Sequence, residues 1–188
     1  IFLGRAIQST VPATNSITPA MLGTTAVTTL TAGTGITGGT GTVYKADVQK
    51  LGNIFHTRIL IDLTGLASSG SGDIIGKAAT ANSHIGQITA AINGTVLSGK
   101  ITCMEAPAGG DPDINLWYAD EATGTEDAAI TGLTNQVQMC DSGDLALGSV
   151  ISIPTPPAAD KYMYMVTGAA TDANYTAGKI LIEFFGYV

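Results

Sequence analysis

The chain has 188 residues, about the length of one domain with an appended arm. Charged residues make up 12% of it, against about 25% in an ordinary globular domain. The net charge of -7 argues against a nucleic-acid partner, because phosphate binding needs clustered Lys and Arg. A hydrophobic fraction of 45% excludes wholesale disorder.

Residues 1–42 contain a single charged residue, Arg5, and end in a run of Thr, Gly and Ala. Gly weakens regular elements and Thr favours extended backbone, so this stretch is predicted to be an extended N-terminal arm. Such a segment buries little apolar surface on its own. It is therefore either disordered or extended along the surface of a partner, and we expect the second, because a solvated linker normally carries charge or Pro.

Residues 43–188 are predicted to form an antiparallel β-sandwich, jelly-roll-like, because short β-rich runs alternate with turn signals. No run of apolar residues is long enough to predict a helix that spans a bilayer, and no membrane partner is expected. The predicted strands are Val43–Gln49, Ile54–Leu63, His84–Ile92, Val96–Glu105, Ile114–Tyr118, Val150–Ile153, Tyr162–Thr167 and Lys179–Tyr187.

Local patterns add detail to these strands. In the second strand the residues from Phe55 to Leu63 alternate, which predicts one apolar face and one mixed face. Asn93-Gly94 predicts a hairpin whose flanking strands pair. Weak helices are predicted at 120–130 and 158–161. The apolar last strand should be central or covered by an interface, because an exposed edge of that kind aggregates.

The motifs that resemble catalytic or cofactor sites have simpler interpretations. The glycines from Gly33 to Gly38 imitate a dinucleotide fingerprint, but a strand follows them instead of a helix. His56 and His84 have no metal ligands at suitable spacing. Cys103 and Cys140 form no C-x-x-C motif, and their spacing leaves open whether they pair. We therefore predict no catalytic residue and no cofactor.

Seven acidic residues without an intervening base lie between Glu105 and Asp127. Asp111, Asp113 and Asn115 place three oxygen ligands at alternate positions, which makes them a weak candidate for a calcium site. The EF-hand pattern fails, because it lacks Gly at the sixth position and has Ala122 at the twelfth. The competing interpretation is a solvated acidic loop that leads into the strand at Ile114.

The tyrosines allow two interpretations. Aromatic faces stack on sugar rings, so Tyr162 and Tyr164, together with other aromatic residues, could line a glycan-binding surface. The alternation of Tyr162 and Tyr164 with Met163 and Met165 equally fits a strand with tyrosines on one face and methionines on the other.

Several strings of the chain resemble a family of virion structural proteins of marine tailed bacteriophages. A string in the arm, Ser16–Leu22, resembles connector sequences of phage fibre and capsid-decorating proteins. The strings in the body are Gly39–Lys45, His56–Leu66, Ser83–Thr89 and Tyr175–Glu183.

The resemblance implies a β-sandwich that decorates a capsid or forms a spike, and it carries no catalytic residues. It leads us to expect a non-enzymatic protein on the capsid surface of a virion that binds the major capsid protein and self-associates, as a trimer. The arm would anchor on the shell or on sister subunits. Its candidate contact residues are Arg5, Ile17, Met21, Leu22 and Leu30.

Two alternatives stay open at this stage. A receptor-binding fibre or knob would use the same arm on the virion and the sandwich on a host surface glycan. A polysaccharide hydrolase would need a pair of carboxylates about 5 to 9.5 Å apart, which only the acids between Glu105 and Asp127 could supply.

Overall fold

The computed structural model describes residues 27–38 and 44–188. The paired strands in these residues are antiparallel, which confirms the all-β prediction. The strands are β1 (Val27–Thr28), β2 (Tyr44–Leu51), β3 (Ile54–Asp62), β4 (Ala67–Ser68), β5 (Gly86–Ile88), β6 (Thr95–Ala108), β7 (Ile114–Ala119), β8 (Val137–Cys140), β9 (Val150–Ser152), β10 (Lys161–Thr167), β11 (Ala173–Asn174) and β12 (Ala177–Tyr187).

The larger sheet has six strands in the order β1-β2-β3-β12-β6-β9. Its centre is β12, which pairs with β3 on one side and β6 on the other. This confirms that the apolar last strand is central. The buried residues Phe55, Thr57, Ile59 and Ile61 of β3 occupy one face, as their alternation predicted.

The smaller sheet has four strands in the order β5-β10-β7-β8. Met163 and Met165 of β10 share one hydrophobic core with Ile180 and Ile182 of β12, so the two sheets pack face to face. A sandwich is therefore confirmed. A further pair, β4 with β11, forms a two-stranded sheet. The jelly-roll connectivity is not confirmed by this strand order and stays a prediction.

A second core lies on the opposite face of the four-stranded sheet. Tyr164 and Val166 are buried there against Ile74, Ala119 and Ile130, and Tyr162 packs at the margin. The tyrosines and methionines of β10 thus occupy opposite faces, as predicted from their alternation. The loops that carry Ile74 and Ile130 cover this face.

Residues 27–38 pack on the sandwich, unlike the extended arm expected over 1–42. Val27 and Thr28 pair with Gln49 and Val48 at the edge of the larger sheet. Ile36 lies in the main core within a short 3₁₀ turn, Thr34–Ile36. A Cβ on Gly35 would lie 2.1 Å from the Ser83 hydroxyl oxygen, so close packing requires glycine there. Part of the low-complexity run therefore contributes to the core.

The hairpin predicted at Asn93-Gly94 is wrong. The predicted strand at 84–92 ends early at β5, which pairs with β10 instead of β6. A one-turn helix, α1 (Ala90–Asn93), follows, and the Thr89 hydroxyl accepts a hydrogen bond from the Ile92 N–H. The buried Asn93 donates to the Thr57 hydroxyl and accepts from the Thr89 N–H. These side-chain bonds stabilise the turn of helix in place of a hairpin.

The helix predictions at 120–130 and 158–161 are also wrong. The first segment is a loop that ends in a 3₁₀ turn, Ile130–Gly132, and the second is a turn that enters β10. Glu126 accepts a hydrogen bond from the Ala79 N–H of a different loop. Asp127 has φ of 67°, which is outside the helical region. Tertiary contacts therefore override a weak local preference.

Candidate interaction surface

The outer face of the six-stranded sheet, which points away from the core, is open to solvent. Side chains at alternate positions of β2, β3, β12 and β6 project from it and form rows across the strands. Its exposed or half-exposed members include Lys45, Asp47, Gln49, Leu51, Ile54, His56, Arg58, Leu60, Asp62, Thr95, Ser98, Lys100, Thr102, Glu105, Lys179, Leu181, Glu183, Phe185 and Tyr187.

One row is ionic and crosses four strands. Asp47 lies opposite Arg58, Arg58 opposite Glu183, and Glu183 opposite Lys100. The Arg58 guanidinium donates two hydrogen bonds to the Asp47 carboxylate, from Nε to Oδ1 at 3.1 Å and from Nη2 to Oδ2 at 2.5 Å. Lys100 Nζ lies 2.9 Å from Glu183 Oε2. This ionic row therefore runs negative, positive, negative, positive across the face.

His56 extends the contacts of the ionic row toward one end of the sheet. Its Nε2 lies 2.9 Å from Glu183 Oε1, and its ring stacks on Phe185 at 4.6 Å between centroids. Burial by itself would raise the pKa of Glu183, but the hydrogen bonds from Lys100 and His56 outweigh it and lower that pKa. Glu183 is thus held in its charged form at the middle of the face.

An apolar row lies beside the ionic row. Leu60 of β3 faces Leu181 of β12, and Thr102 and Val150 continue the row onto β6 and β9. Leu60 and Val150 are exposed. A shallow depression of about 420 Å³ lies at Leu60 and Leu181 and is bordered by Asp47 and Arg58. The middle of the outer face thus combines one exposed and one half-buried leucine with ion pairs that are already formed.

A further ionic contact lies beyond the apolar row. Lys179 of β12 has Asp62 of β3 and Glu105 of β6 opposite it. Its Nζ binds the Glu105 carboxylate and lies 3.9 Å from Asp62 Oδ2. Hydrogen bonding to Glu105 raises the pKa of Lys179, so this ammonium stays charged at neutral pH.

Exposed apolar side chains cluster where β2, β3 and β12 end. Leu51, Ile54 and Tyr187 lie opposite one another on adjacent strands, and the Val188 N–H donates to the Asn53 carbonyl of the β2–β3 turn. We call Leu51, Ile54, Tyr187 and Val188 the end patch. Leu51 is 79% exposed, and the other three are exposed as well. Contiguous apolar exposure of this kind is a feature of binding surfaces.

The start of β1 lies near the end patch. Because Val27 pairs with Gln49 and Thr28 with Val48, the lower-numbered end of β1 faces the Leu51 end of β2. Of the candidate capsid contacts, Leu30 is only 2% exposed and packs in the core. The expectation that Leu30 contacts a partner is therefore corrected: the side chain is used inside the subunit. The other candidates, Arg5, Ile17, Met21 and Leu22, lie outside the described residues.

A separate cleft of about 330 Å³ opens between residues 29–32 and β5. His84, Gln87 and Tyr162 line it, and the His84 ring meets the Tyr162 ring edge-on at 5.0 Å between centroids. Burial lowers the pKa of His84, which favours the neutral imidazole. The side chains that line the cleft are aromatic, amide, hydroxyl and aliphatic groups.

The acidic residues between Glu105 and Asp127 do not form one solvated loop. Glu105 lies on the outer face, Asp120 binds Lys161 on β10, and Asp111 and Glu126 are buried. The interpretation as a single acidic loop is therefore wrong. Hydrogen bonds to neighbouring loops and strands separate these carboxylates.

The structure does not support the candidate calcium site at Asp111, Asp113 and Asn115. The Asp111 carboxylate accepts from the N–H groups of Asp113 and Thr171, and the Asn115 oxygen accepts from the Ser142 N–H. Within 27–38 and 44–188, no group of three or more His, Cys, Asp or Glu side chains could hold a metal ion. Burial, then the nearby Asp141, Asp111 and Asp144, raise the pKa of Asp113.

Cys103 and Cys140 are both buried in the main core as free thiols. Burial raises the pKa of Cys140 to about 11, so its thiol stays protonated at neutral pH. Both cysteines pack as small apolar side chains.

No protein family, no curated protein and no solved structure matches this chain. In the part of the chain that the structure describes, no helix is long and apolar enough to cross a membrane. The sequence predicts part of the outer face, because the residues of the second predicted strand alternate between an apolar face and a mixed face. The rows of side chains that cross the outer face depend on the register between strands.

Proposed function

We propose that this chain is a non-enzymatic structural protein of a bacteriophage virion, which binds the capsid shell at its outer surface and stabilises it. The partners would be the major capsid protein and further copies of the chain. The end patch carries this proposal, because it leaves Leu51, Ile54, Tyr187 and Val188 exposed at one end of the outer face. The sequence resemblance to virion structural proteins supports it.

Burial of the end patch against a shell would supply the driving force. An apolar side chain that moves from water into a contact gains about 25 cal/mol per Å² of surface. A protein that binds only the assembled shell stabilises that shell by mass action. The start of β1 lies beside the end patch, on the same side of the subunit. Residues N-terminal to Val27, including Ile17, Met21 and Leu22, would bind the shell as well.

The proposal is tested by adding the purified full-length chain to phage particles that lack it and measuring occupancy by quantitative gel densitometry. Leu51→Lys is expected to lower the apparent affinity by about tenfold or more, because an interfacial charge must be desolvated. The matched control is Leu147→Lys, which changes a leucine of similar exposure, 71%, outside the end patch. Occupancy that is equal for both variants would contradict the role of the end patch.

A truncation tests the arm. Removal of residues 1–42 would also remove Leu30 and Ile36 from the core, so the informative truncation stops before Val27. Loss of residues 1–26 is expected to reduce occupancy while the thermal midpoint of the isolated protein stays close to that of the intact chain. Unchanged occupancy would overturn the anchoring role of Arg5, Ile17, Met21 and Leu22.

The cleft beside His84 favours a second candidate function, a fibre or knob that binds a host surface glycan. Its volume of about 330 Å³ lies at the lower end of the range for small-molecule sites, roughly 300–1,000 Å³. Tyr162 and Gln87 offer a ring face and an amide to a neutral sugar. A glycan array tests this function, and Tyr162→Ala is expected to lose any binding that the cleft provides. The copy number per particle separates the two functions, because hundreds of copies indicate decoration and a dozen or fewer indicate a fibre.

A further inference from the structure

We propose that the outer face binds the outer face of a second copy of this chain, around a two-fold axis that runs parallel to the strands between β3 and β12. This inference goes beyond the proposed function, does not depend on capsid binding, and replaces the trimer that the resemblance implies with a two-fold dimer. It rests on the order of the side chains in the rows, which is self-complementary under that rotation.

The ionic row shows the complementarity most clearly. Across β2, β3, β12 and β6 it reads Asp47, Arg58, Glu183, Lys100. A two-fold axis between β3 and β12 reverses this order in the facing copy. Arg58 then faces Glu183 of the second copy, and Asp47 faces Lys100 of the second copy. Each charge therefore meets an opposite charge.

The neighbouring rows obey the same relation. Leu60 faces Leu181 of the second copy, because the two leucines flank the axis on β3 and β12. His56 and Phe185, which stack within one subunit, also flank the axis, so His56 faces Phe185 of the second copy. Asp62 and Lys179 also flank the axis, so Asp62 faces Lys179 of the second copy and extends the charge match beyond the leucines.

One alternative two-fold arrangement fails on charge. An axis that lies across the strands at the level of the ionic row would place each residue against its own copy. Arg58 would then face Arg58 and Glu183 would face Glu183, which is repulsive. An axis across the strands at the level of Leu60 and Leu181 would instead place Arg58 against Asp62 of the second copy and Glu183 against Lys179 of the second copy. The mixture of charge variants described below decides between these arrangements, because it recovers the dimer only when the axis runs parallel to the strands.

The cost of desolvation and the size of the face set the expected strength. Arg58 with Asp47, and Lys100 with Glu183, are already paired in one subunit, so fewer bare charges lose water on association. Four strands about 4.8 Å apart and seven residues of about 3.3 Å each, from His56 to Asp62 on β3, give roughly 440 Å² per subunit, below the about 800 Å² of a standard interface, and leave the end patch outside it. We expect a dimer that dissociates on dilution and in high salt.

Analytical ultracentrifugation of the full-length chain tests the proposal. The intact protein is expected to sediment as a dimer at about 100 μM and as a monomer after dilution to about 1 μM. Arg58→Glu places a carboxylate opposite Glu183 of the second copy, and Glu183→Arg places a guanidinium opposite Arg58 of the second copy. Each variant alone is expected to weaken self-association by about tenfold or more.

The decisive measurement is an equimolar mixture of the two variants. In the mixed dimer every altered charge faces an opposite charge, so the mixture is expected to recover the dimer that neither variant forms alone. Lys77→Glu, the control, makes a basic-to-acidic change on a loop away from the outer face and should leave the dimer unchanged. Recovery in the mixture also excludes misfolding as the cause of the single-variant losses.

Several results would overturn the proposal. These are a monomer at every concentration, a trimer, single variants that still dimerise, or folded variants whose mixture stays monomeric. Should either charge variant fail to fold by circular dichroism, Leu181→Lys provides the second test, since it places a charge at the axis. A dimer that persists in folded Leu181→Lys would equally refute the interface.

Discussion

The two large sheets of the sandwich differ in the face that points away from the main core: loops cover that face in the four-stranded sheet and leave it open in the six-stranded sheet. In the four-stranded sheet, β10 is buried on both sides from Met163 to Thr167, because loops cover the face that carries Tyr164. In the six-stranded sheet, β12 alternates strictly between buried and accessible residues along its whole length. The larger sheet nevertheless places Leu60 and Phe185 on its open face. A sheet that needs no partner is closed by its own loops, whereas this outer face is left available.

The largest expected effect comes from the covered face. Tyr164→Ala should lower the free energy of unfolding by about 3–5 kcal/mol, because it empties a buried site and leaves the Gly124 N–H without the hydroxyl that accepts its hydrogen bond. Phe185→Ala on the open face should cost about 1 kcal/mol, because the ring is already 38% exposed. Urea unfolding of both variants, at a concentration where the protein is monomeric, measures the difference.

A concentration series makes this comparison sharper. If the outer face binds a second copy, the cost of Phe185→Ala should grow with protein concentration while that of Tyr164→Ala stays constant. Equal losses for the two variants in the monomer would contradict the distinction between a covered and an open sheet.

The next largest effect concerns the segment that closes the sandwich at one side. Leu30→Ala should cost about 2–4 kcal/mol, because Leu30 is buried in the core that both sheets share. The control, Leu51→Ala in the end patch, should change stability by less than about 0.5 kcal/mol. Thermal unfolding measures both. A loss no greater for Leu30→Ala than for the control would mean that residues 27–38 do not pack as described.

Sequence patterns predict the strands of the sheets better than the segments at their edges and the turns between them. Alternation in β3 and β10 identified the faces of both strands, since a period of two reflects burial directly. The sequence around Leu30 predicts an arm, because its many Thr and Gly residues obscure Leu30 and Ile36, the two apolar side chains that reach the core. The turn at Asn93 was assigned to a hairpin, because its buried hydrogen bond to Thr57 depends on a residue distant in the chain.

The candidate surface could be predicted only in part for a related reason. The outward residues of β3 are visible in the sequence, yet the match of Arg58 with Glu183 requires the register between strands far apart in the chain. A register shift by one residue would turn each of these side chains to the other face. The charge order of the outer face is therefore a property of the fold, although each charge is plain in the sequence.

The smallest expected effect lies in the loop that leads into β7. Burial raises the pKa of Asp113 above its ordinary value, and Asp141, Asp111 and Asp144 add to the rise. A raised carboxyl pKa means that ionisation opposes folding, so the penalty is complete above the folded pKa and disappears below the unfolded value of about 3.9. Asp113→Asn should therefore stabilise the protein at pH 7 by about 0.5–1 kcal/mol.

The pH dependence distinguishes this explanation from a simple packing effect. The gain from Asp113→Asn should shrink as the pH falls toward 4, because the intact protein then protonates Asp113 and escapes the same penalty. The control is Asp73→Asn, in a neighbouring loop, which removes one negative charge as Asp113→Asn does. Urea unfolding at pH 7 and pH 4 measures both variants. A gain of the same size at both pH values would show that the ionisation of Asp113 is not its source.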